Sequence, residues 1–175
     1  SLILDNNGIF GELDRYGDSK TPDKHAAEAQ PLLDAIQASG LTSLSLSGTG
    51  MGPVSCGKLA GAVSAALTSL TIAQNPIGAP GATALVEALK TASSIEIINI
   101  GQPLPLKSQY ESDCLDLSDK QMDAGQAIIL AWWLSLPVSA ALTELTILGN
   151  PLTGGEPKYI GKGKFGQTDG EDISG

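Results

Sequence analysis

The chain has 175 residues, enough for one domain with a sizeable core. Hydrophobic residues make up 42% against 4% aromatic, with 21 glycines and 10 prolines, a mix that suits many short elements joined by frequent turns. A net charge of −9, with Arg15 the only arginine, argues against the cationic face a nucleic-acid partner needs.

The elements follow one line of text. Leu2-x-Leu4 is the first strand core, and Asn7 turns the chain after it. Gly11–Asp23 is polar and charged, with turn formers and no period, so it is expected as a surface loop leaving the corner after Ile9. A helix resumes near His25 with Pro31 in its first turn, where a missing N–H is tolerated. Leu44-x-Leu46 is the second strand, followed by a helix with Leu59 and Val63 inward. Leu67 to Gly78 spells L-x-x-L-x-I-x-x-N-x-I-G and leads into a helix with Leu85 and Leu89 inward.

Ile98-x-Ile100 is the fourth strand. Pro103 and Pro105 then forbid a helix of ordinary length, so an extended segment is expected across the outer face, with a loop at 107–113. Leu115-x-Leu117 follows, then a helix with Leu130 and Leu134 inward. Leu145-x-Ile147 and Asn150 close the series, and Thr153–Gly175 reads as a second surface insertion. Neither end shows a cap, as in a piece of a longer repeat protein or one whose ends a partner covers.

This frame resembles the ribonuclease-inhibitor type of leucine-rich repeat. The match to L-x-x-L-x-L-x-x-N-x-[LI]-G-x-x-G-x-x-x-L-x-x-x-L is nearly complete between Leu67 and Leu89. Thr49 replaces the asparagine in the preceding unit, and Lys120 replaces it in the unit beginning at Ser112. The resemblance implies an α/β fold: a single solenoid, or horseshoe, of about six units over residues 1–175. It would carry parallel strands on the concave face and helices or extended segments on the convex face, with surface insertions at 11–23 and 153–175. It also implies protein recognition, without saying of what.

Motifs that look like chemistry have simpler explanations. Gly52–Leu59 nearly spells a phosphate-binding G-x-x-x-x-G-K-[ST], but Leu59 stands at the hydroxyl position and Pro53 removes one donor. Leu59 also falls on an inward position of the repeat. Gly161-x-Gly163-x-x-Gly166 resembles a kinase glycine-rich loop without the strand and lysine that must follow. His25, the only histidine, has no nucleophile or metal-ligand pattern around it and is expected solvated at a helix start. No catalytic, cofactor or metal residue is therefore assigned, and the chain is read as no enzyme.

Cys56 and Cys114 are too few for a disulfide framework and are expected as small buried thiols. No run approaches the roughly 18–20 apolar residues of a membrane span. With no secretory leader and no N-x-[ST] site, the cytoplasm is the expected location.

The outward strand positions are small and polar, lacking the Trp, Tyr and Arg that anchor tight interfaces. Among them Asn99, Asp116, Glu144 and Leu148 are the candidate partner-binding residues, joined by Trp132 on a helix. Trp133 is expected in the core. Trp132 is expected against the unit that has no helix to cover its flank. The leading expectation is a noncatalytic protein–protein interaction module or scaffold. Alternatives are a GTPase-activating protein, because the Ran-activating type is built from similar repeats, a sensor region of an innate-immunity receptor, or a structural subunit of a large assembly.

Overall fold

The computed structural model describes residues 1–153. The expectations for the segment beyond Thr153, including the glycine-rich run at Gly161–Gly166, lie outside the described residues. In chain order the elements begin with β1 (Leu2–Ile3), β2 (Glu12–Leu13), β3 (Ser19–Thr21), α1 (Gln30–Ala38), β4 (Ser43–Ser45), α2 (Pro53–Ala62) and β5 (Ser69–Thr71). They continue with α3 (Gly78–Thr91), β6 (Ile97–Asn99), β7 (Pro103–Pro105), β8 (Cys114–Asp116), α4 (Ala124–Leu134) and β9 (Glu144–Thr146).

The fold is mixed α/β. β1, β4, β5 and β6 pair in parallel, with Leu2, Leu44, Leu70 and Ile98 side by side. Because successive strand residues face opposite sides, the row Leu44, Leu70 and Ile98 is buried while the flanking Ser43, Ser69, Ser45, Thr71 and Asn99 are half-buried. Leu46, Ile72, Ile100 and Leu117 extend the buried set past the strand ends. α1 packs on α2, α2 on α3, and α3 on α4. Pro31 sits in the first turn of α1, as expected.

The segment after Ile100 departs from expectation. It turns back as β7, antiparallel to β6, with Ile97 opposite Pro105 and Asn99 opposite Pro103. Leu106 N–H bonds Glu96 O, so Leu104 and Leu106 face β6 while Pro103 and Pro105 face away. Proline has no N–H to offer the next strand, so the five-stranded sheet ends here. β8 and β9 form their own parallel pair, with Leu115 beside Leu145. The strand layer splits at the prolines while the helix layer closes over the gap, α3 lying directly on α4.

Trp133 fills that gap. It is fully buried, its Nε1–H donates to Pro105 O at 2.8 Å, and Tyr110 meets its ring edge-on at 5.3 Å. Trp132, expected in this role, is only half-buried at the core margin. The buried stripe of α4 runs through Gln126, Ile129, Leu130 and Trp133, which leaves Leu134 38% exposed rather than inward. Val63 likewise falls just past the end of α2 and is half-buried. Cys56 is buried as expected, but Cys114 is exposed on β8.

Candidate binding face and its corners

Two asparagines lock the corners where strands give way to helices. Asn75 is buried, and its Oδ1 accepts from Thr49 N–H (3.0 Å), Thr49 Oγ1 (3.2 Å) and Met51 N–H (3.1 Å). Its Nδ2 donates to Leu46 O (2.7 Å), Ile72 O (3.2 Å) and Ala73 O (3.0 Å). Asn150 repeats this on β8–β9: Oδ1 accepts from Lys120 and Met122 N–H, and Nδ2 donates to Leu117, Ile147 and Leu148 carbonyls. Each amide thus satisfies its own turn and ties it to the preceding strand–helix segment at matching positions. Asn7 bonds only its own turn, through Leu4 O and Ile9 N–H. Thr49, standing where an asparagine was expected, sends its hydroxyl to Leu46 O.

The helix starts are held by carboxylates. Asp23 Oδ1 accepts from Gly52 and Ser55 N–H (3.0 and 2.9 Å) and Oδ2 from Val54 N–H (2.7 Å). These are the amides a phosphate would use in the segment that resembles a phosphate loop, and Lys58 donates instead to Ala26 O. Asp123 caps α4 through Gly125 and Gln126 N–H and also accepts from Gly78 N–H at the start of α3. Beneath these caps, burial pushes the Cys56 thiol up to about 12, with Asp123 and Asp23 adding to the effect. Such a thiol is inert.

The five expected partner residues do not form one cluster. Asn99 lies on β6, half-buried, with Oδ1 accepting Gly101 N–H at 2.9 Å. Asp116 and Glu144 are exposed on the neighbouring strands β8 and β9, diagonal across the register. Hydrogen bonds from Ser118 hold the Asp116 carboxyl below the usual carboxylate value. Leu148 follows β9 and is 73% exposed. Trp132 stands apart, in the helix layer. Ile3 and Ile97 are further exposed apolar residues on strands, whereas Ala73, just past β5, is buried.

Gly11–Asp23 is an antiparallel hairpin, β2 with β3, rather than an irregular loop. At its tip Asp14 Oδ1 accepts from Tyr16 and Asp18 N–H, and Gly17 takes φ +87. The glycine in Asp14-Arg-Tyr-Gly17 was the available signal, since such a turn needs positive φ there. At its base Gly11 lies so close to Thr21 O and Gly50 O that no side chain fits. The tip reaches far along the chain, Gln121 Nε2 donating to Asp18 Oδ1 at 2.9 Å. Tyr16 is 72% exposed with the Arg15 guanidinium 4.6 Å above its ring.

Among the described residues no group of His, Cys, Asp and Glu could hold a metal ion, and no helix is long and apolar enough to cross a membrane. No protein-family model matches the chain, and no curated protein matches it.

Proposed function

We propose that the chain is a leucine-rich-repeat solenoid of the ribonuclease-inhibitor-like type, acting as a noncatalytic interaction module whose strand face binds another protein. The observation that supports this most is the matched bonding of Asn75 and Asn150, each stapling its turn to the preceding strand at equivalent atoms. A repeated corner lock is what a stack of like units requires, because no unit buries its apolar side alone. In-register strands then offer the row Ser45, Thr71 and Asn99 as one continuous polar surface.

The test is affinity isolation of the whole chain from the cells that make it, wild type against Thr71→Arg/Asn99→Arg and against the helix-face variant Thr83→Arg. A discrete partner lost only with the strand-face pair is expected. A partner retained by that pair, or GTP hydrolysis by small GTPases accelerated by the chain, overturns the reading.

A further inference from the structure

The backbone anion sites of α2 and α4 are filled by the chain's own Asp23 and Asp123. A different concavity is not filled in this way. It lies between the hairpin base and the turn at Gly8, has a volume of about 510 Å³, and is lined by Gly8, Gly11, Glu12, Leu13, Lys20 and His25. That is within the range of small-molecule sites.

We propose that this cleft binds a small oxyanion, a carboxylate or phosphate group, between the Lys20 ammonium and the His25 imidazole. The inference goes beyond the strand-face reading and stands whether or not that face binds a protein. Its charge balance is the first support. Glu12, the one acid in the lining, is already matched: Lys24 pairs with Oε1 and Thr21 Oγ1 donates to Oε2. Among the described residues Lys20 makes no contact ion pair, although its charge also acts on Glu12, and the His25 ring makes no hydrogen bond, so both keep N–H donors for a ligand.

The second support is preorganisation. The cleft walls are fixed by Phe10 N–H to Thr49 O, Asp23 N–H to Gly50 O and His25 N–H to Phe10 O. Gly8 and Gly11 approach so closely that a side chain on Gly8 would meet Gly11 O at 2.7 Å. Their lack of side chains lets the backbone segments beside the cleft pack directly on one another. The overall charge of −9 opposes anions at long range, but salt screens that field beyond about 8–10 Å, whereas Lys20 and His25 line the cleft itself.

His25 is the only histidine, so its imidazole resonances report on the cleft without ambiguity in the whole chain. Sodium phosphate and, separately, sodium acetate are titrated in at constant ionic strength set with sodium chloride. The expected result is a saturating shift of the His25 Cε1–H signal with at least one anion. Saturation by phosphate alone assigns a phosphate ligand; saturation by acetate assigns a carboxylate. Lys20→Gln, on the exposed hairpin, is expected to weaken binding about tenfold, the loss of one charge-assisted bond, and Lys90→Gln to leave it unchanged. Identical His25 signals in phosphate, acetate and chloride overturn the proposal, as does equal affinity in Lys20→Gln.

Discussion

Replacing Asn75 by alanine removes the amide that joins two segments. Thr49 and Met51 are fully buried, so their N–H groups lose the Oδ1 acceptor with no water to replace it. Each such orphan costs about 1–3 kcal/mol. The acceptor side suffers less, since Leu46 O keeps the Thr49 hydroxyl and Ala73 O keeps Gly48 N–H. A loss of about 2–6 kcal/mol follows, a large part of the ~5–15 kcal/mol that holds a typical domain. Asn150→Ala meets the same pattern at a half-exposed corner and is expected to cost about 1–3 kcal/mol. Asn7→Ala loses bonds only within its own turn, below about 1 kcal/mol. Urea unfolding of the three variants, with unchanged m-value, reads the series directly. Equal costs at the three sites, or less than about 1 kcal/mol for Asn75→Ala, would refute the corner-lock reasoning.

Four further outcomes follow. Trp133→Ala should cost about 3–5 kcal/mol and Trp133→Phe about 1–3, because the second keeps the ring but loses the donor to Pro105 O; thermal or urea unfolding measures both. Asp23→Ala should cost about 1–2 kcal/mol through the lost α2 cap, and Asp23→Gly less, because Asp23 sits at φ 62, where glycine is unstrained. Cys56 stabilises the fold fully below the usual thiol value of 9.0, and that contribution is lost as pH rises toward about 12, because only the unfolded thiol ionises. The stability advantage of wild type over Cys56→Ala should therefore shrink by about 1.4 kcal/mol per pH unit above 9, read by urea unfolding. Alkylation by a neutral reagent at pH 8 should modify Cys114 rapidly and Cys56 only on unfolding, as peptide mass spectrometry would report.

Much of the strand layer was legible because alternation is a local signal. Leu44, Leu46, Leu70, Ile72, Ile98, Ile100, Leu115 and Leu117 are all buried, where the frame put them. Leu145 follows the same frame yet is 37% exposed, because β9 has a partner strand on one side only among the described residues. The prolines at 103 and 105 were readable as helix breakers, but a missing N–H does not say which way the chain turns. The reversal rests on Gly101, at φ +135, and on pairing with β6. Trp133 took the place assigned to Trp132 because the buried stripe of α4 steps back one residue at its end, from Leu134 to Trp133. The hairpin and its cleft depend on contacts far apart in sequence, Asp18 with Gln121 and Gly11 with Gly50, which no local pattern encodes. Of the candidate residues, Asn99, Asp116, Glu144 and Leu148 were findable by alternation alone, whereas Lys20 and His25 become neighbours of one cleft only through the fold.

The proposed partner would meet the strand face and not the helix layer. The most direct measurement places a photo-crosslinking amino acid at Thr71, Asp116 or Thr83 in the whole chain and irradiates it in the cells that make it. The expected result is the same discrete adduct from Thr71 and Asp116 and none from Thr83. An adduct from Thr83 with none from the strand positions would contradict it.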